Sequence, residues 1–418
     1  MLIVQKYGGS SVADAVCINR VAGRIMEMYR VGHKMVVVLS AQGDTTDDLL
    51  AKAHEINPQP SKRELDMLLT TGEQQSVALM AMALHRLGAP AVSLNAVQVG
   101  IEATAQYGDA RIQRIRPERI TRVLEQNSIV IVAGFQGVNR YGDLTTLGRG
   151  ASDTTAVALA AVLGADLCEV YSDVDGVYTA DPRIVPSARK LSEISYDEML
   201  ELASMGAQVF HNRAVEMAKR HRVKLVLRSS MDFTKEGTEV KEGSIMEKLL
   251  FSGLAIDRDV ARISVMGLLD RPGIAFHIFS LLATQQISVD IILQTAGTTN
   301  SDTPGQAMDI SFTVSRADLD ATLKVLAANQ QAIGFQSVTH DITLAKLSII
   351  GAGMATNAGV ASAMFEALYE CGVNIETIST SEIKITVLID EKHITKAAKA
   401  VHDKFEPMFS DDYTETEE

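Results

Sequence analysis

The sequence predicts an α/β protein built on a mostly parallel sheet covered by helices on both faces, followed by two smaller α+β units. Three observations carry that prediction. Apolar runs of strand length alternate with helical stretches through the first half of the chain, the pattern of a parallel sheet buried on both sides. Beyond residue 252 the chain repeats itself: Ala261-Arg262-Ile263-Ser264-Val265-Met266-Gly267 matches Ala345-Lys346-Leu347-Ser348-Ile349-Ile350-Gly351. With 418 residues, there is length for two or three domains, each with its own core.

The elements follow in order. Residues 2–5 form a short apolar strand, and residues 14–32 carry helical spacing through Val16, Val21, Ile25 and Met28. Residues 35–39 are continuously apolar, as a strand buried on both faces requires. Residues 65–88 read as a helix closed by Gly88 and Pro90. Buried strands are expected at 129–133, 167–171 and 224–228, and a helix of small residues at 154–164. Residues 235–248, with their glycines and lysines, read as a connector. In the repeated half, Gly273-Ile274-Ala275 and Gly359-Val360-Ala361 each open an amphipathic helix. Strands at 287–292 and 373–378 come next, then strands at 308–314 and 383–389, then helices at 317–328 and 394–405. Two copies are too few for a solenoid. The acidic tail, 410–418, is expected to be disordered.

A net charge of −13 argues against a nucleic-acid partner or an anionic membrane surface, since like charges repel. Cys17, Cys168 and Cys371 lie far apart without metal-ligand spacing. No metal site is therefore expected, and the thiols read as reduced residues of a cytoplasmic protein. No apolar run approaches the roughly 18 residues of a membrane span, and Met1 leads directly into a strand.

Chemistry concentrates where strands end, the place where open α/β sheets bind ligands. Gly148-Arg149-Gly150-Ala151-Ser152-Asp153 runs into a helix whose free N–H groups and positive dipole end suit an anion. Arg149 offers a planar fork for a carboxylate, and Asp153 an acceptor beside a transferring group. Lys6-Tyr7-Gly8-Gly9 ends the first strand; its glycines let phosphate oxygens reach the backbone and Lys6 neutralises their charge. The same residues also suit a plain strand-to-helix turn, and they lack the spacing of a P-loop or dinucleotide fingerprint. Ser40-Ala41-Gln42-Gly43-Asp44-Thr45 follows the second apolar run. Its hydroxyls suit phosphate or carboxylate, and Asp44 and Thr45 also suit a helix cap.

Gly72, in Thr71-Gly72-Glu73, interrupts a helix at a cost of roughly 1 kcal/mol against alanine. A function would explain that cost, with Glu73 pairing a substrate ammonium; a solvated glutamate is the alternative. The stretch from Tyr171 through Ser172, Tyr178, Asp181 and Pro182 to Arg183 contains an Asp-x-Asp-Gly run without the further ligands of a calcium loop. Tyr178 supplies an aromatic face, Asp181 an acceptor and Arg183 a cation for a nucleotide, or the stretch is a hairpin-like turn.

These motifs together resemble the ordered set of the aspartate kinases, enzymes of the amino-acid-kinase fold. The C-terminal repeat resembles the paired ACT regulatory domains, ferredoxin-like α+β units, of the monofunctional members, so the resemblance covers nearly the whole chain. It implies a catalytic domain at 1–245 and ACT-like domains at 260–335 and 340–408. It implies transfer of the γ-phosphoryl group of ATP to the β-carboxylate of L-aspartate, the first step toward lysine, threonine and methionine, with Mg2+ carried on the ATP phosphates. A carboxylate is already nucleophilic, so positioning and charge neutralisation carry such a reaction without a general base.

By the same resemblance Lys6 and Asp153 are the catalytic pair, Asp153 orienting the lysine. Arg149 clamps the α-carboxylate of aspartate and Glu73 its ammonium, while Thr45 and Ser152 hydrogen-bond substrate carboxylate. Lys6, Tyr7, Gly8, Gly9, Ser40, Tyr171, Ser172, Tyr178, Asp181, Pro182 and Arg183 line the nucleotide site. The chain departs from the family pattern at Ala151 (for glycine), Gln208 (for lysine), Asn212 (for proline), Ser288 (for asparagine) and Asn357-Ala358 (for histidine-proline). His211 is expected to be structural rather than a base.

For the ACT-like pair the resemblance implies an amino-acid effector, lysine, threonine or both. In the first unit it would meet Asp270, Gly273, Ile274, Ala275, Asp290 and Gln294; in the second, Asn374, Ile375, Ser379 and Thr380. A homo-oligomer, at least a dimer, paired through these units is expected, as is an internal start at Met246 that yields a separate regulatory subunit. The rival readings are an amino-acid-kinase member acting on glutamate, acetylglutamate or a nucleotide, and a catalytically silent amino-acid sensor. Thr71-Gly72-Glu73 and the repeat argue against the first. Lys6, Glu73, Arg149 and Asp153 argue against the second.

Overall fold

The structure, a computed structural model, describes residues 1–205, 210–243, 250–296, 307–352, 354 and 359–409. Gln208, Met246, Asn357-Ala358 and the tail at 410–418 lie outside the described residues. The chain divides into two compact units. One comprises Met1–Thr179, Arg189–Ser204 and Gln208–Met246; the other comprises Ala180–Ala188, Met205–Ala207 and Glu247–Glu418.

The first unit opens with β1 (Leu2–Tyr7), α1 (Ala15–Arg30), β2 (Lys34–Leu39), α2 (Thr45–Ile56), α3 (Lys62–Arg86) and β3 (Ala91–Leu94). It continues through α4 (Ala96–Val99), β4 (Ile101–Ala103), β5 (Ile112–Ile115), α5 (Glu118–Glu125) and β6 (Ile129–Ala133). Then come β7 (Gln136–Val138), β8 (Leu144–Thr146), α6 (Ser152–Leu163) and β9 (Leu167–Ser172). The unit closes with β10 (Glu193–Ser195), α7 (Tyr196–Ser204), α8 (Asn212–His221), β11 (Leu225–Ser229) and β12 (Thr238–Lys241).

Eight of these strands form one sheet in the order β10-β12-β11-β9-β1-β2-β6-β3. Only the β11–β12 pair is antiparallel. β6 is buried along its whole length because helices cover both faces: α1 and α3 pack on one side through Val21, Ile25, Met80 and Leu84, and α6 packs on β1, β2 and β9. The small residues of α6, with Ala156, Ala158 and Ala160 all buried, let it lie close. A second sheet has the order β5-β4-β7-β8.

Register decides where the chemistry goes. Tyr7 pairs with both Leu39 and Tyr171, and Leu39 pairs with Ala133. The residues that follow, Gly8, Ser40 and Gly134, therefore leave the sheet side by side at its carboxyl edge, next to Ser172 at the end of β9.

The stretch read as a connector contributes β12 instead. Its Thr238 is buried; the hydroxyl donates to the Leu191 carbonyl at 2.6 Å and accepts from the Val177 N–H at 2.9 Å. Internal hydrogen bonds hold this strand beside its one buried apolar residue, Val240, too short a pattern to read from the sequence. α6 begins two residues earlier than its small-residue run suggests, which puts Ser152 and Asp153 in its first turn.

The second unit runs β13 (Leu250–Asp257), β14 (Ala261–Leu269), α9 (Ile274–Thr284), β15 (Ile292–Ala296), β16 (Ala307–Val314), α10 (Leu319–Ala328) and α11 (Gln330–Ile333). It then runs β17 (Ser337–Asp341), β18 (Leu344–Ala352), α12 (Val360–Glu370), β19 (Thr377–Thr380), β20 (Lys384–Asp390) and α13 (Ile394–Phe405). Two antiparallel sheets result, β15-β16-β14-β17 and β13-β18-β20-β19. The sequence repeat is thus a structural one, and the fourth strands are β17 and β13. The second sheet therefore draws on residues that precede the first repeat.

The strands expected from 287 and 373 begin later, at Ile292 and Thr377. Ile287 and Val373 donate their amides back to the Leu282 and Leu368 carbonyls, so these apolar residues close helices instead. Within this unit Ala180 and Val185 are buried with Phe251, Leu254, Leu347 and Met364.

Candidate active site

Lys6 sits at the carboxyl end of β1 on the face covered by α6. Its Nζ lies 2.7 Å from Asp153 Oδ1, with the two side chains 13% and 10% exposed. The second Asp153 oxygen accepts the His211 N–H at 3.3 Å. Asp153 stands in the first turn of α6, where the helix dipole favours a negative charge.

Strand alternation sends the neighbours of Lys6 to the other face. Gln5 Nε2 donates to Glu169 Oε2 at 2.8 Å, and the Tyr7 ring stacks on Tyr171 at 4.6 Å. Arg228 pairs with Glu169 at 2.8 Å. The side chains of Tyr7 and Tyr171, two of the residues expected at the nucleotide site, are wholly buried core. Their carbonyls still serve the strand ends, accepting from Ser40 N at 3.1 Å and Gly8 N at 3.3 Å. The Gly8–Gly9 turn locks onto the next loop through Gly43 N and Gly9 O at 3.1 Å.

Gly72 lies in α3 where the helix meets that same loop. A Cβ there would sit 2.8 Å from the Ala41 Cβ, so glycine permits an approach that alanine blocks. The approach lets the Ala41 N–H donate to Glu73 Oε1 at 3.2 Å. Glu73 is 3% exposed, and its other oxygen is buried without a hydrogen bond. Burial pushes its carboxyl up to about 7, the response of an acid lacking a countercharge. Thr45, the first residue of α2, donates its hydroxyl to the Gln42 carbonyl at 2.6 Å.

Ser152 is buried under the end of β6, where a Cβ on Gly134 would come within 2.6 Å of its Oγ. Gly134 stands at the same edge and was missed in the sequence; its signal was a glycine directly after a buried strand, as at Gly8. Asp66 was missed as well. It is a buried α3 carboxyl that accepts from Thr146 Oγ1 at 2.7 Å and Gly108 N at 2.9 Å, and no pattern in a helix announces such a role. Arg149 is 87% exposed and pairs with Asp47 at 3.1 Å. Ala151 has φ −74°, so its departure from glycine brings no strain. Asn212 is the first residue of α8, where proline is also favoured. His211 is held beside Asp153 through its backbone N–H, and burial lowers its imidazole pKa.

Beyond β9, Ser172 Oγ donates to Asp173 at 2.9 Å and the Tyr178 hydroxyl to Asp175 at 2.7 Å. Asp181, Pro182 and Arg183 belong to the second unit, where Arg183 pairs with Asp181 at 2.8 Å.

Of the expected effector residues, Gly273 caps α9 with φ +95° and its counterpart Gly359 caps α12 with φ +102°. Ile274 is buried in the first turn of α9 with Ala275 beside it, and Asp270 and Gln294 are exposed. Asn374 and Ile375 precede β19, which carries Ser379 and Thr380. Asp290 has a partner of its own: its Oδ2 lies 2.6 Å from Nζ of Lys346, which is 8% exposed. The Asp290 carboxylate thereby ties the two repeats together.

Residues 1–229 match the model of the amino acid kinase family, and residues 263–330 and 347–405 match that of the ACT domain. Fold and site therefore define a kinase of the amino-acid-kinase class with a C-terminal ACT pair. The aspartokinase of Geobacillus stearothermophilus is 50% identical over 405 residues, 97% of each chain. E. coli aspartokinase III in complex with aspartate and ADP (R-state) is 25% identical with a TM-score of 0.83, over 97% of this chain and 99% of that one. The same enzyme with lysine and aspartate (T-state) is 26% identical with a TM-score of 0.73, over 98% and 100%. The chain belongs to the aspartokinase family.

Proposed function

We propose that the chain transfers the γ-phosphoryl group of ATP to the β-carboxylate of L-aspartate, giving ADP and 4-phospho-L-aspartate. The observation that carries this reading is the enclosed Lys6–Asp153 pair at the edge that also holds Glu73, a buried carboxyl lacking a countercharge. A β-carboxylate oxygen attacks the γ-phosphorus while the bond to the bridging oxygen breaks and its electrons leave on ADP. Lys6 offsets the charge on the transferring group, and Asp153 aims the ammonium. Glu73 and Arg149 hold the amino acid by its ammonium and α-carboxylate, with Thr45 and Ser152 beside them. The β-carboxylate is left free to react. No proton has to be removed, because a carboxylate is already nucleophilic.

Gly8, Gly9, Ser40 and Ser172 supply backbone and hydroxyl groups for ATP, with the Tyr178 ring on its nucleoside side. Among the described residues no group of three or more His, Cys, Asp or Glu side chains is placed to hold a metal. Mg2+ would then take its ligands mainly from phosphate and water, as that ion commonly does. A hydroxamate assay offering aspartate, glutamate, acetylglutamate and UMP in turn tests the reading. Turnover confined to aspartate supports it, while turnover on another acceptor, or none, overturns it.

The ACT pair serves feedback inhibition by lysine, threonine or both, a reading supported by the E. coli T-state complex with lysine. A catalytic region ahead of two regulatory ones is supported by the matches at residues 1–229, 263–330 and 347–405. Pairing of ACT units between chains would make the protein at least a homodimer, and an internal start at Met246 would add a regulatory subunit. Mass spectrometry of protein from the native gene decides the latter, since the full-length chain alone would remove it. Among the described residues no helix is long and apolar enough to cross a membrane. Together with three free thiols, this supports a cytoplasmic location.

A further inference from the structure

We propose that Arg213 is a positioning residue for amino-acid binding, fixing the root of the loop that carries Arg149. The inference rests on the reading that Arg149 grips the aspartate α-carboxylate. The start of α8 has two holds on the site. One is the His211 N–H on Asp153; the other is the Arg213 guanidinium, whose side chain is 18% exposed. Its Nη1 donates to the Leu147 carbonyl at 2.6 Å and to Asp109 Oδ1 at 3.0 Å, and its Nη2 donates to the Ala110 carbonyl at 3.1 Å.

Leu147 is the residue immediately before Gly148-Arg149-Gly150. Both glycines have positive φ, +91° and +79°, so the loop adopts a conformation that only glycine takes easily. Their side-chain space is already filled. A Cβ on Gly148 would lie 2.8 Å from Asp109 Oδ1, and one on Gly150 would lie 2.9 Å from the His211 ring. The segment 211–213 and its partner Asp109 thus bound both glycines, while Arg149 between them reaches into solvent.

A glycine-flanked arginine has backbone freedom that must be removed before it can grip a carboxylate with two parallel hydrogen bonds. The rigid fork of Arg213 removes it by joining residues 109, 110 and 147 at once. Lysine, a flexible point charge, cannot reproduce a planar three-acceptor bridge.

The experiment is steady-state kinetics of Arg213→Ala and Arg213→Lys with both substrates, repeated with millimolar guanidinium added. The Michaelis constant for aspartate is expected to rise about tenfold or more in both variants, and that for ATP less than about threefold. Guanidinium should restore much of the aspartate affinity of Arg213→Ala. Asp109→Ala, which keeps Arg213 but removes one acceptor, should raise the same constant by less.

An unchanged aspartate constant in folded Arg213→Ala overturns the inference. So do parallel losses for both substrates without rescue, which mark a merely structural role. If Arg213→Ala does not fold, an unchanged constant in Asp109→Ala overturns it equally. Arg149→Ala, measured alongside, separates the layers. No effect there removes the reading beneath, whereas an effect there with none at Arg213 removes only the inference.

Discussion

Lys6 Nζ and Asp153 Oδ1 lie 2.7 Å apart, joining the end of a central strand to the first turn of a helix almost out of reach of water. A pair so enclosed adds little net stability, because desolvation offsets most of the attraction. Its value is in holding an ammonium in one place. Lys6→Ala and Asp153→Ala are each expected to lower kcat by about 100- to 1,000-fold, roughly 3–4 kcal/mol of transition-state stabilisation. Near-normal kcat in either variant, with circular dichroism showing a native fold, would remove that residue from catalysis.

Glu73 should make aspartate binding depend on pH. Its carboxyl, raised to about 7 by burial, holds its proton below that pH in the free protein and loses it above. The substrate ammonium needs the carboxylate. Affinity for aspartate is therefore fully present above about 7 and falls as pH drops, by up to about tenfold per unit. Glu73→Gln should show a uniformly weak, flat profile. A flat wild-type profile between about pH 6 and 8 would contradict the pairing.

Gly72→Ala sets two effects against each other. Helix propensity alone favours alanine by about 1 kcal/mol. The new Cβ, however, would meet the Ala41 Cβ at 2.8 Å, and overpacking of that kind costs about 1–3 kcal/mol. The clash should win, since it also pushes the Ala41 N–H away from Glu73. Urea denaturation should show lower stability, and kinetics a higher aspartate constant. A more stable variant with normal kinetics would mean that the loop yields freely.

Arg149→Ala is expected to raise the Michaelis constant for aspartate far more than that for ATP. Its guanidinium is solvent-exposed and paired only across the surface to Asp47, so stability should move by no more than about 1 kcal/mol. Equal effects on both substrates would argue that this loop serves the nucleotide instead.

Gln294 and Asp290 should separate effector binding from domain integrity. Gln294 is exposed on β15, so Gln294→Ala should keep uninhibited kcat. Its inhibition curve for lysine or threonine should shift by about 5- to 150-fold, the usual range of allosteric coupling. Asp290→Asn breaks the contact to Lys346 and should lower the melting temperature too. An unshifted curve for Gln294→Ala would send the search to Asn374 and Thr380.

The sequence by itself determined the covered parallel sheet and the repeat, because buried strands and helices must write their burial into periodic apolar residues. It also pointed to Lys6, Arg149 and Asp153, charged residues near glycines where strands end. Tertiary structure alone decided which face each side chain occupies. Strand alternation kept Lys6 with Asp153 and turned the Tyr7 and Tyr171 side chains into the core. Thr238 was hidden because its burial is met by hydrogen bonds, and its four-residue strand carries a single apolar residue, Val240. Gly134, Asp66 and Arg213 were hidden for a related reason: each acts on residues far away in sequence. Ser152 lies over Gly134, Thr146 over Asp66 and Leu147 under Arg213. Apolar periodicity records a residue's own burial, whereas the partner of a close contact or hydrogen bond is set only when the chain folds.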